Sequence, residues 1–176
     1  MSDSIPQEMK DLRQWCIWRY EKDSESQKET KIPYQLGFQH KIRPNDPSCF
    51  HPFFLVRDEP QKAFIIQSSD PFCGIDLDGC LIDGELNSDA QKVVDHFGPF
   101  GYCEISPSGQ GIKLTIRAIK PLGSASVFRC GKQKVEIYDW NRFWTIAGNV
   151  WGDYDKIGDG QAALDEALAK ILVPQE

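Results

Sequence analysis

Two aspartates, Asp76 and Asp78, are set in the run Gly74-Ile75-Asp76-Leu77-Asp78-Gly79-Cys80. In an extended strand, residues i and i+2 share a face. The two carboxylates then point one way, while Ile75 and Leu77 point to the core. Like charges side by side repel, and burial sharpens the conflict. A cation held between them relieves it, and hard oxygen donors suit Mg²⁺ or Mn²⁺. The competing reading of the pair alone is a strand end with two solvated aspartates beside the turn at Gly79. A third acid, Glu136, lies in the apolar setting Val135-Glu136-Ile137, where a merely solvated charge is out of place. Carboxylates from two strands can hold paired metals that clamp the attacking and leaving oxygens of an in-line phosphoryl transfer. Asp139 faces the other way and reads as a turn residue.

A candidate phosphate site follows in Ser106-Pro107-Ser108-Gly109-Gln110-Gly111, which leads into a strand carrying Lys113. Glycines such as Gly109 permit positive φ and close backbone approach to an anion. Ser106 and Ser108 offer hydroxyl donors, and Lys113 a point charge. No GK[ST] follows, so this is not a P-loop. Taken alone, the segment also fits a hairpin turn with an exposed lysine. Arg142 can reach a triphosphate or pair with Asp139.

Strands must position these groups. The pattern predicts strands over 14–20, 31–34, 63–66, 72–77, 102–105 and 112–117, the last alternating strictly. Residues 21–30 read as a solvated hairpin loop, and Pro33 marks an edge. Asp46 or Ser48 is expected to cap a short helix running to about 58, and Asn87 or Ser88 one over 90–97 stopped by Gly98-Pro99. Residues 134–139 and 142–147 read as a hairpin around Trp140-Asn141. A final helix is expected from Asp159 or Gly160 to about 172, with Ala163, Leu164, Ala167, Leu168 and Ile171 as its apolar stripe. The sum is α+β: a mixed, mostly antiparallel sheet with a few helices. We expect a single domain over 1–176, with an N-terminal α/β part over 1–70 and a catalytic core over 71–176.

The bulk numbers narrow the classes. The chain has 176 residues and a formal net charge of −6. A protein gripping duplex DNA usually carries a basic stripe, so the balance argues against autonomous duplex binding. The six cysteines form no CxxC pair, which fits reduced thiols in a cytoplasmic protein rather than a zinc site. No apolar run approaches the ~20 residues of a membrane span, and the polar N-terminus is no signal peptide.

Taken in order, several blocks resemble a known family. They are Gln14 to Arg19 (QWCIWR), Lys31-Ile32-Pro33-Tyr34, Gly74 to Cys80 (GIDLDGC), Glu104 to Lys113 (EISPSGQGIK) and Val135 to Asn149 (VEIYDWNRFWTIAGN). The chain resembles the primase-polymerase (prim-pol) domain of phage and plasmid replication proteins, within the archaeo-eukaryotic primase superfamily. The likeness runs from about Trp15 to about Leu172. It implies an RNA-recognition-like catalytic core. It implies metal ligands at Asp76, Asp78 and Glu136, and nucleotide binding at Ser108 and Lys113. It also implies nucleoside triphosphates, a single-stranded DNA template and a helicase as partners, with no membrane role. Where the family motif SGxGxH has histidine, this chain has Lys113. Family members often continue into a helicase or a primer-binding helical region, so a standalone domain or part of a larger protein is expected here.

Two rival readings use the same residues. A prim-pol fold could bind nucleotide or single-stranded DNA without polymerising, with Trp15, Trp18, Trp140 or Trp144 stacking on bases. Alternatively, Ile75 to Asp83 looks like the first motif of haloacid-dehalogenase-type phosphatases, with Asp76 as nucleophile and Asp78 as general acid. That reading needs a strand before Asp159, and residues 153–158 do not read as one.

Overall fold

A computed structural model describes residues 4–22 and 27–175. A short helix, α1 (Gln7–Lys10), precedes β1 (Trp15–Lys22) and β2 (Glu29–Tyr34). The expected loop over 21–30 is thus shorter at both ends, and residues 23–26 of it lie outside the described residues. Next come α2 (Phe53–Val56), β3 (Lys62–Ile66), β4 (Phe72–Leu77) and the small ribbon β5 (Leu81–Ile82) and β6 (Glu85–Leu86). Helix α3 (Ser88–Phe97) leads to β7 (Tyr102–Ile105), β8 (Ile112–Arg117), β9 (Val127–Cys130) and β10 (Gln133–Tyr138). The chain closes with β11 (Arg142–Thr145), β12 (Val150–Asp155), α4 (Gln161–Lys170) and β13 (Val173–Pro174).

The strands form a seven-stranded sheet, β12-β7-β8-β4-β10-β9-β13, and a four-stranded sheet, β11-β3-β1-β2. Their strand pairings are antiparallel. The architecture is mixed α+β, mostly antiparallel with few helices, as expected. Pro33 sits in β2, an edge strand, where a missing N–H costs no ladder bond.

Alternation assigns each face. Ile75 and Leu77 of β4, Ile112 and Leu114 of β8 and Val135 and Ile137 of β10 turn toward α3 and α4, joining Val93, Phe97, Leu164 and Ala167 in one core. The opposite face meets the four-stranded sheet through Trp15, Ile17, Phe64, Phe72, Tyr102 and Trp144. Cys16, Trp18, Ala63 and Ile65 fill a third cluster beneath Ile42 and Phe50. Both faces of the first half of β1, Trp15 to Trp18, are therefore covered, which explains its unbroken apolar run.

Three expectations need correction. Residues 134–147 do not form a hairpin. β10 pairs with β4 and β9, whereas β11 pairs with β3 in the other sheet. The chain changes sheets at Trp140-Asn141, where Asn141 adopts φ 44°, a left-handed conformation that asparagine tolerates. Next, the helix expected from Asp46 or Ser48 to about 58 is split. Asp46 does accept from Ser48 N, but it caps only a 3-10 turn, Pro47–Cys49. Phe50 then turns extended, and His51 pairs through its backbone with Trp15 before α2 begins after Pro52. Finally, residues 153–155 belong to a strand, β12. Asn87 caps α3 by accepting from Ala90 N, as expected.

Candidate functional site

The carboxylates arise from strand register. Glu104, Lys113, Asp76 and Glu136 lie directly opposite one another on β7, β8, β4 and β10. They form one charged row on the face turned away from α3 and α4. Asp78 follows β4 on the same side, exposed at the strand's end.

A cavity of about 460 Å³ gathers Asp76 and Lys113 of this row with Asp78, Ser108 and Arg142, whereas Glu104 and Glu136 do not line it. Its far wall comes from Tyr20, Thr30 and Lys31 on the β1–β2 ribbon. Ser106 and Gly109 border a separate cavity beside Trp18. Ser106 is buried. Its Oγ accepts from Gly111 N and bonds Ser108 Oγ at 3.0 Å, so it braces the loop. Gly111 must be glycine, because a Cβ there would meet Leu77 O at 2.8 Å. Gly109 has φ 74°.

Asp76 is buried, and its Oδ2 accepts from Lys113 Nζ at 2.6 Å. Its Oδ1 is buried without a partner. Lys113 Nζ also lies 4.0 Å from the centre of the Trp144 ring. Trp144 in turn donates from Nε1 to Thr115 Oγ1 at 3.2 Å and packs flat where a Gly74 side chain would stand. Asp78 has its carboxyl pushed up by loss of hydration, then by Asp76, with Lys113 opposing. Burial pushes Glu136 up too. The bonds from Lys134 and Tyr138 and the charge of Arg142 outweigh it, leaving Glu136 below its usual range. Tyr138 Oη donates to Glu136 Oε2 at 2.6 Å, and the Arg142 guanidinium lies over the Tyr138 ring, 3.9 Å from its centre. Arg142 thus approaches Glu136 at 3.5 Å rather than pairing with Asp139, which accepts from Lys120 N.

The donor set suits a hard divalent ion. The oxygens are carboxylates, and an orphaned buried oxygen on Asp76 is an acceptor awaiting a partner. As the side chains stand, however, no three Asp, Glu, His or Cys groups among the described residues are gathered as metal ligands. Lys113 and Lys134 already engage two of the three carboxylates.

Two charged residues in or beside the cleft escaped the sequence reading. Glu104 is 1% exposed. It accepts from Tyr102 Oη at 2.7 Å and from Gly148 N at 2.9 Å, fixing the segment after β11. Its signal was the one that exposed Glu136: an acid between two core residues, here Cys103 and Ile105. Lys31 enters the cleft from β2, and burial, then Lys113, holds its ammonium below the usual lysine range, with Asp76 and Asp78 opposing. No local signal places it there, since only the packing of one sheet on the other does.

The geometry thus defines an α+β chain with an acidic and basic cleft where two sheets meet. The chain is 30% identical, over 158 residues, to the DNA primase-polymerase of Nitratiruptor phage NrS-1. That match covers 82% of this chain and 20% of the phage protein, so the chain spans about a fifth of that curated relative's length. No family model matches the chain.

Proposed function

We propose that this protein is a primase-polymerase domain, a nucleotidyltransferase of primase-like fold acting in phage or plasmid DNA replication. The observation that carries the reading is the register that sets Asp76 opposite Glu136, with Asp78 beside them and Ser108, Lys113 and Arg142 around one cleft. The named relative supports the same activity class.

In this reading Asp76, Asp78 and Glu136 hold Mg²⁺ or Mn²⁺. A bound ion there supplies charge stabilisation for an in-line displacement at the α-phosphate of a nucleoside triphosphate. The protein's own groups do the positioning. Ser108 donates to a phosphate oxygen from a loop braced by Ser106. Lys113 and Arg142 meet the triphosphate charge, and Lys31 adds a cation from the opposite wall. Burial of Asp76 keeps its charge effective, because charges interact more strongly away from water. Nucleoside triphosphates and a single-stranded DNA template are the partners this activity requires, and a helicase of the same replication system is a further partner it could work with. The phosphatase reading is not favoured. Although β12 covers residues 153–155, it lies three strands from β4 in the sheet order, and Asp159, the acid that reading needs, is bridged to Arg117 opposite Phe72, at the end of β4 away from Asp76 and Asp78.

The test is primer extension and de novo synthesis with Mn²⁺, comparing the wild type with Asp76→Ala. Incorporation by the wild type, lost in the variant, supports the proposal. A folded wild type that incorporates no nucleotide contradicts it. If that protein still binds nucleotide in a metal-dependent way, the non-catalytic module replaces it.

A further inference from the structure

The row Glu104, Lys113, Asp76, Glu136 carries a cation of its own. Lys113 is 7% exposed and its ammonium is held on two sides. Asp76 Oδ2 accepts from it at 2.6 Å, and the Trp144 face backs it at 4.0 Å. A surface lysine would be free to swing into solvent, whereas this one is fixed where a positive charge is most needed. Its neighbour on the other side in the row is Glu104, whose carboxylate is committed to Tyr102 Oη and to the Ala147 and Gly148 amides. Asp76 is therefore the carboxylate to which the ammonium bonds. One Asp76 oxygen is neutralised by the protein itself while the other stays buried and unpartnered. A buried acceptor without a donor is costly, so the pair satisfies Asp76 only in part.

We propose that Lys113 is a resident counter-ion that closes the carboxylate site, and that divalent metal binds Asp76 only as the ammonium leaves it. The inference rests on the metal-binding reading of Asp76, Asp78 and Glu136 above. A divalent ion taken up by both Asp76 oxygens competes with Lys113 for Oδ2, since two cations at contact distance from one oxygen repel each other. The released ammonium faces the cleft, which also contains Ser108 and Arg142. A triphosphate is the anion that would accept it there. Metal and nucleotide then favour each other's binding, because each stabilises the state in which Lys113 has left Asp76. Metal alone binds weakly, and the empty site is kept from collecting stray ions.

The measurement is Mn²⁺ binding without nucleotide, followed by the electron paramagnetic resonance of the free ion. Lys113→Met keeps the length and the contact with Trp144 but removes the charge. It should bind Mn²⁺ at least about tenfold more tightly than the wild type. Lys113→Arg, which keeps the charge, should remain near wild-type affinity. Lys31→Met separates a closing contact from general charge relief, since the Lys31 ammonium lies in the same cleft but over Trp18, 5.7 Å from the ring centre. A gain in Lys31→Met equal to that in Lys113→Met overturns the proposal. So does equal affinity in the wild type and Lys113→Met, while loss of binding in Asp76→Asn would still uphold the metal site. Mn²⁺ bound by neither wild type nor Lys113→Met removes the metal site and the closing role together. Should Lys113→Met not fold, the wild type answers through the ¹⁵N resonance of the Lys113 ammonium, assigned by its loss in Lys113→Arg. That signal should shift or exchange away as Mg²⁺ is added. A fixed ammonium signal while the Asp76 carboxylate carbon shifts overturns the proposal.

Discussion

Trp144 is the residue on which both halves of the site lean. Its ring fills the space a side chain at position 74 would take, backs the Lys113 ammonium and bonds Thr115. Gly74→Ala would put a Cβ 2.8 Å from that ring. Overpacking of this kind costs about 1–3 kcal/mol, and urea unfolding should show the loss without a change in slope. Because the displaced ring lies against Lys113, the same variant should also alter nucleotide affinity. Asp76, Asp78 and Glu136 stood out in the sequence because each acid interrupts an apolar run, and strand register does set Asp76 opposite Glu136. Gly74 and Trp144 were not, because a glycine inside a strand and a tryptophan on another strand give no sign of touching. Lys113 stood out as a cation just after the serine- and glycine-bearing loop, but its bond to Asp76 follows from register alone.

At the scale of elements, the loop between β7 and β8 and the ribbon β1–β2 set the walls of the cleft. Gly111→Ala would press a Cβ against Leu77 O at 2.8 Å and Ser106 Oγ at 3.0 Å. It should lift the loop from the end of β4 and raise the KM for nucleotide more than it lowers kcat, measured in steady-state incorporation. The ribbon carries a charge cluster in which Glu21 accepts from Tyr34, Lys41 and Arg19. Those bonds, Tyr34 first, hold Glu21 down from 4.5 to about 2. A depressed carboxylate stabilises the fold fully above its unfolded value, and that contribution is lost as the pH falls through the folded one. Glu21→Gln should therefore flatten the acid limb of the stability curve between about pH 4.5 and 2, as followed by circular dichroism. Strand and helix periods were readable over most of these elements. The small ribbon β5–β6 and the strands β9 and β13 were not, being short and without a clear alternation. The split of the expected helix near Pro52 came from the backbone of His51 pairing with Trp15, a contact 36 residues away that local propensity cannot express.

At the scale of the whole molecule, the two sheets are not two consecutive pieces of chain. β3 is flanked by β1 on one side and by β11 on the other. A fragment of residues 1–70 lacks β11 and the Trp144 ring opposite Phe64, and lacks Phe72 of the same core. It should show no cooperative thermal transition, whereas the full chain should show one. The sequence suggested sheet and helix in the right proportions but joined residues 134–147 in a hairpin, because a short polar turn between two strands usually makes one. Nothing local reveals that the second strand belongs to another layer. The crossing at Trp140-Asn141 also bears on how the chain is made. Synthesis runs from the N-terminus, and β3 leaves the ribosome long before its partner β11. At roughly 5–20 residues per second, the apolar edge of β3 waits about 4–16 s for the strand that covers it. During that interval a nascent chain with an open, hydrophobic strand edge is a target for chaperones and for pairing with its own copies. Expression yield should therefore depend on how fast the stretch between β3 and β11 is translated.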